Sequence, residues 1–494
     1  MNVRSVLILC FFLSFSFELF AQTEHIPLQR WYSRNIEQSA FADTTAVSHF
    51  GLKPYLPFTF RKEDSFFYQK DSAKYYSDFG VKLMRDHALQ IKQDDYRISI
   101  DPLLDFSYAM NRSEFVSEDI PEFFTVNNRG LLLAGEIGRD FSFHTGFYEV
   151  QRLPSYYIQQ YVNSTGVFPG YGRVKAFKEV GYDYAQSFGT LTYKIKKRAQ
   201  LELGYDRLFV GHGYRSLLLT DGISNYPFIK GSVMFLDGKL MYSSTYATLL
   251  SQERLPAGEV PESLFKRKGA SFHYLSFKPN RFIELGVFEG VMWQRVDSTS
   301  VVSQPWNTYV PVLGVSSGAE GFDGKNNVYT GLNLRIQPTQ NFWLYGQYMF
   351  DGELGVSDGY QGGFKWLNAG IRYLDIQLEY NKTNREAYAS RYDIMGLDHV
   401  NQFVGLPSGG GAEEVVGILE YRYKRAFTRF KYNYIASEVS PNDVRHFETE
   451  WGYQLNLKTN AEVLLGYLNR EDAIKSEIFY ISVRTNLHNR YFDF

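Results

Sequence analysis

The chain has 494 residues, with 52 Lys and Arg against 54 Asp and Glu and a formal charge of −2. So even a balance offers no bulk field for nucleic acid or anionic lipid, and the single cysteine, Cys10, excludes a disulfide framework and a thiolate metal cluster. The 41 Phe, 38 Tyr and 41 Gly against only 16 Pro are what lipid-facing strands with interfacial aromatic girdles produce, although an array of secreted β-sandwiches shares part of that composition.

In chain order, Arg4 precedes an apolar stretch from Val6 to Phe17 broken only by Ser14 and Ser16. Leu19-Phe20-Ala21 comes next, with Glu18 an unusual residue so near the cut. This pattern predicts a secretory signal, residues 1–21, cleaved before Gln22, with Cys10 leaving inside it. Beyond it no apolar run approaches the ~18 residues a spanning helix needs. Across residues 22–95, Tyr76, Phe79, Leu83, Met84, His87 and Ile91 recur at helical spacing. We read a periplasmic segment with at least one amphipathic helix, packed at the inner-membrane-facing end of a barrel formed by the rest of the chain rather than plugging it.

Residues 96–494 alternate with period two. Leu201, Leu203 and Tyr205 oppose Glu202, Gly204 and Asp206. Leu374, Ile376, Leu378 and Tyr380 oppose Asp375, Gln377, Glu379 and Asn381. Leu419, Tyr421 and Tyr423 oppose Glu420, Arg422 and Lys424. Phe430, Tyr432 and Tyr434 oppose Arg429, Lys431 and Asn433, and Trp451 and Tyr453 oppose Glu450 and Gln454. Sandwich strands usually run ~5–6 residues; these approach the ~9–11 that cross a bilayer when tilted. An all-β transmembrane outer-membrane β-barrel of roughly 16–18 antiparallel strands is therefore expected. Glu420, Arg422, Arg429 and Lys431 must then face a polar lumen laced with ion pairs, since Arg or Lys facing lipid at mid-depth costs ~2–4 kcal/mol. Short turns such as Lys196–Arg198, Lys424–Ala426 and Lys458–Asn460 alternate with long loops such as 151–180, 295–325 and 382–413, the asymmetry of periplasmic and external ends.

Three stretches bear on chemistry. The first is Gly211-His212-Gly213-Tyr214-Arg215-Ser216-Leu217-Leu218-Leu219-Thr220-Asp221, followed by Asn225-Tyr226-Pro227-Phe228. Gly211 and Gly213 permit a close backbone approach, Arg215 presents a fixed fork of donors, and Tyr214 and Tyr226 present stacking faces. With His212 and Asp221 this is a kit for a sugar bearing hydroxyls or carboxylates; equally, Arg215 could pair inside the lumen with a carboxylate such as Asp206 or Asp221. The second, Gly314-Val315-Ser316-Ser317-Gly318, matches a nucleophile-elbow pattern but lies in a Gly- and Ser-rich stretch after Pro311, where a flexible loop is expected. Ser408-Gly409-Gly410-Gly411 lacks the Lys-Ser/Thr of a phosphate cradle. The third is Phe492 and Phe494, an aromatic terminal pattern of the kind barrel-assembly machinery reads, although His488 and Arg490 stand where apolar residues would be expected. The nine histidines show no pair at ligand spacing, so no sequence-local metal site and no cofactor are expected.

At Gly204-Tyr205-Asp206, at Gly211–Leu219 and at Asn225–Phe228, with Ile98-Ser99-Ile100-Asp101-Pro102-Leu103-Leu104 and Arg490-Tyr491-Phe492, the sequence resembles the Wzi family of capsule-assembly outer-membrane proteins, in particular its RemB-like gliding-motility branch in Bacteroidota. That resemblance implies an 18-stranded barrel with a periplasmic helical segment. It also implies a non-enzymatic role in binding or organising capsular or other surface polysaccharide, or in supporting gliding. The partners implied are the lipid bilayer and lipopolysaccharide, the polysaccharide, the barrel-assembly machinery and gliding-machinery proteins. From the residues alone, a porin-like diffusion channel and an outer-membrane hydrolase using Ser316 or a histidine remain the alternatives, while a TonB-dependent transporter would need a plug domain and ~22 strands.

Overall fold

The computed structural model describes residues 25–42, 47–56, 77–112, 122–178, 180–196, 198–254, 265–297, 300–301, 306–322, 324–352 and 357–494. The expected signal peptide and Tyr76 lie outside these. Alternation becomes strand throughout: β1 Tyr96–Asn111, β2 Phe123–Ile137, β3 Phe141–Leu153, β4 Gly181–Ile195, β5 Ala199–Asp206, β6 Tyr226–Phe235, β7 Leu240–Arg254, β8 Phe265–Asn280 and β9 Ile283–Gln294. The second half supplies β10 Asn327–Thr339, β11 Phe342–Asp351, β12 Ser357–Trp366, β13 Leu374–Thr383, β14 Ala412–Tyr423, β15 Ala426–Ser437, β16 Val444–Asn456, β17 Ala461–Glu471 and β18 Lys475–Thr485. These 18 strands form one closed antiparallel barrel in sequence order, sealed where β18 pairs with β1 at Ser482 and Ser107. A short strand, Leu89–Lys92, pairs with β1 at its beginning, where β18 is not paired with it.

Closure leaves no unpaired edge, which lipid requires of a sheet. Leu191, Leu203, Leu332, Leu465 and Ile481 are exposed on the outer face, and Trp366, Tyr421, Tyr423, Trp451 and Tyr453 ring it near the short turns. An apolar band with an aromatic girdle around a closed barrel places the protein in the bacterial outer membrane. Left-handed residues make the short turns: φ is 55° at Lys196, 52° at Asp237, 56° at Lys424 and 49° at Asn460. The inward charges pair as register requires. Arg429 stands opposite Glu420 and Glu450 on the neighbouring strands and lies 2.6 Å from Glu462, while Lys431 lies 2.8 Å from Glu448.

A buried charge, Glu289, departs from the alternation. Glu289 shares its outward parity with the exposed Leu285 and Val287, yet it is buried. Residues 306–322, with the short helix Val315–Glu320, fold against the outer wall: Gly314 N and Ser317 N donate to Glu289 at 2.7 and 3.0 Å, and Tyr246 donates to the Tyr309 carbonyl at 2.7 Å. The strap supplies the donors that lipid lacks. In Glu289→Ala, chymotryptic cleavage near Trp306, Tyr309 and Phe322 should quicken severalfold in detergent while the barrel keeps its heat-dependent gel mobility.

The N-terminal segment corrects the sequence reading. Helix α1, Arg30–Ala42, does lie at the short-turn end, but inside the barrel. Tyr32 and Glu37 are fully buried, Arg34 pairs with Asp375 at 2.6 Å, Gln38 donates to Asn341, and Arg335 donates to Glu37 at 3.1 Å. Beyond it, Phe50 N and Gly51 N donate to Glu284. The alternation could not show this, because wall charges such as Glu284 and Arg335 look the same whether they face water or a plug. The helical spacing of Phe79 to Ile91 also overreached: the helix spans only Asp78–Met84 with no buried residue, and Ile91 is in the short strand.

Candidate functional site

The lumen is the candidate site; the N-terminal segment, residues 207–225 and the C-terminal tail enter it, and the loops carrying Phe168 and Tyr388 pack onto them. Residues 207–225, between β5 and β6, cross it. Phe209–Val210 pairs with Leu52–Lys53 of the N-terminal segment, and the chain then turns at Gly211, whose φ is 147°. A Cβ on Gly213 would collide with the Glu379 carboxylate, which accepts from Tyr214 N and from Arg215 N at 2.9 Å. The glycines thus serve a close backbone approach, and a wall carboxylate receives the turn. Gln347 clasps the same turn, accepting from Leu217 N and donating to the Val210 carbonyl, each at 2.8 Å.

The proposed sugar-binding residues converge here but face no solvent. His212, Tyr214, Arg215, Asp221 and Tyr226 are all at most 2% exposed. Arg215 reaches neither Asp206 nor Asp221. It lies 2.8 Å from Glu414 and 3.3 Å from Asp493, and Tyr214 donates to Asp493 at 2.6 Å. Asp221 accepts from Tyr491 at 2.7 Å and from Asn489 at 2.9 Å, and Tyr226 accepts from Leu208 N. Sequence reading found the hub of the plug, and an Arg-Tyr-Asp cluster has the same composition whether it latches a segment or meets a ligand.

The C-terminal stretch likewise differs from expectation. β18 ends at Thr485 and residues 486–494 turn back into the lumen. Phe492 packs on Phe168 and Phe494 on Tyr161, with ring centroids 5.8 and 4.5 Å apart, so neither sits at the lipid-facing end of a strand as an assembly signal would. His488 and Arg490, out of place for a strand, were the signal for this: Arg490 lies 2.7 Å from Asp105 inside the barrel. Burial would raise the Asp493 carboxyl, but Arg215 and Lys431 hold it below the ordinary carboxylate range.

The inserts divide the lumen. Toward β8–β11, Leu217, Leu218 and Leu219 fill it against Phe272, Phe288, Tyr329 and Met349. Toward β13–β18 and β1–β3 a cavity of about 710 Å³ remains. Its lining runs from Lys424, Arg425 and Leu457 at the short turns to Phe124, Tyr157 and Leu468 toward the other end. Eleven Arg and Lys line it against four Asp and Glu, and Glu462, Asp105 and Asp493 behind them still leave cations in excess. Sequence reading missed this basic wall because its members come from the N-terminal helix, five strands, a short turn and the tail.

Ser316 sits in the external strap, buried, its Oγ donating to the Asn307 carbonyl at 3.1 Å rather than to an imidazole. No family model and no curated protein matches the sequence. Solved structures similar to this chain include OccK1 (OpdK) of Pseudomonas aeruginosa, at 13% identity over 79% of this chain and 97% of that one with a TM-score of 0.46. They also include a BenF-like porin of Pseudomonas fluorescens Pf-5, at 10% identity over 79% and 98% with a TM-score of 0.45. OccAB2 of Acinetobacter baumannii is similar at 11% identity over 78% and 96%, with a TM-score of 0.43.

Proposed function

We propose that this barrel is a porin-like channel that admits small anionic solutes along the basic side of its lumen. The observation that carries the reading is the cavity itself, about 710 Å³ with eleven cations against four anions in its lining, within a chain whose net charge is −2. A low-dielectric passage lined by one sign concentrates the opposite ion. The purified protein in a planar bilayer under a salt gradient should give steady small currents with a reversal potential favouring anions. Lys424→Glu with Arg425→Glu, at a turn where barrel pairing is not at stake, should shift that potential toward cations; an absence of any current would sink the proposal.

A second reading, organisation of surface polysaccharide for capsule or gliding, rests on the resemblance and on the apolar plug, which suits a barrel that does not conduct. Its ligand would have to meet the external loops, since the motif that carries the resemblance is sealed inside. A deletion strain that loses capsule retention or spreading with solute uptake unchanged would favour it.

A further inference from the structure

We infer that His25, His144 and Asp206 form a site for a divalent transition-metal ion, best suited to Zn²⁺, which ties the N-terminal segment to the barrel wall. Three residues far apart in sequence supply it. His144 points inward from β3 and Asp206 from the end of β5, both buried, and His25 stacks on His144 with ring centroids 3.5 Å apart. His144 Nε2 lies 3.1 Å from Asp206 Oδ2, and the candidate ligand atoms of the three all fall within 4.8 Å of one another. Donor atoms around a tetrahedral zinc with bonds of ~2.0–2.1 Å stand about 3.3 Å apart, so His25 has to swing out of its stack on His144 for both lone pairs to meet one ion.

The surroundings suit ligation. Thr190 Oγ1, 2.8 Å from His144 Nδ1, engages the far side of that ring and leaves Nε2 toward the site, the outer support that ligating imidazoles characteristically have. Lys230, paired with Glu202 at 3.0 Å, and Arg207, which donates to Asn225 at 2.8 Å, are nearby cations. His488 Nε2 is buried without a hydrogen-bond partner, and its ring packs on Phe188, which also packs on His144. It stands beside the set rather than in it, brought by the same tail that latches Arg215. Two imidazoles with one carboxylate select zinc-like ions over Ca²⁺ or Mg²⁺.

The site is independent of whether the barrel conducts. The full chain, folded in detergent, stripped with chelator and titrated with ZnCl₂ by calorimetry, should bind one Zn²⁺ per chain. His25→Ala and His144→Ala should each weaken that binding at least tenfold, and Zn²⁺ should raise the unfolding midpoint of the wild type but not of the variants. His25 lies outside every strand, so His25→Ala should keep the folded gel mobility and give a clean comparison. No stoichiometric binding by the wild type, or undiminished binding by a folded His25→Ala, overturns the inference.

Discussion

Arg215→Ala should unlatch the plug, lowering the temperature at which the folded gel band is lost and costing about 3–5 kcal/mol, the usual penalty for removing one partner of a buried ion pair. The side chain is fully buried, with its fork on Glu414 at 2.8 and 3.1 Å and on the Asp493 carbonyl at 3.0 Å. Its removal leaves two carboxylates in a water-poor interior. Asn381 and Asn433 still donate to Glu414, at 2.9 and 2.8 Å, and Lys431 and Tyr214 still face Asp493, so the loss stops short of unfolding the wall. Arg215→Lys retains the charge but not the two-pronged geometry and should fall between the two. Cleavage by chymotrypsin at Tyr491 and Phe492 should rise in step, because the tail is held by the same cluster. A variant with wild-type melting and a protected tail would show that the latch contributes nothing.

The fold was legible in the sequence as far as alternation encodes it. Period two reports which side of a wall a residue faces, so it located Arg429 and Lys431 inside and Leu203 and Tyr432 outside, and the pairings across β14 to β17 came with the register. It cannot report what an inward residue meets. Glu379 reads the same whether it faces water or receives Tyr214 N, and Glu284 the same whether it faces water or Phe50 N. The inserts themselves have no period, because each conforms to the wall it touches. Only local anomalies betrayed them: glycines flanking His212, three consecutive leucines after Arg215, and Arg490 where a strand would want an apolar residue. Glu289 is the converse case, an outward charge that reads as an error until the strap covering it is seen.

Replacing residues 209–223 with a short Gly-Ser turn between Leu208 and Ser224 should raise single-channel conductance severalfold and erase most of the anion preference. Barrels of 16–18 strands leave an aqueous channel unless something fills them, and here Leu217, Leu218 and Leu219 fill it, fully buried. Tyr388 and Tyr329 clamp the Leu217 and Leu218 carbonyls at 3.0 and 2.9 Å, so the segment is held across the lumen rather than hanging from it. The wall does not depend on it, since every strand-to-strand pairing around the ring is made by the strands alone. The variant should therefore still fold, with Phe272, Phe288 and Met349 newly wetted and a loss of thermal stability at least as large as that of Arg215→Ala, since Glu414 and Asp493 lose the same partner. Removing Tyr214 and Arg215 also opens the basic cavity to the emptied side, which dilutes its field and hence its selectivity. If the intact protein is silent and the deletion conducts, the native barrel is a closed one and its function lies at the external loops. If both conduct alike, the passage bypasses this segment, and the division of the lumen into a filled and an open side is wrong.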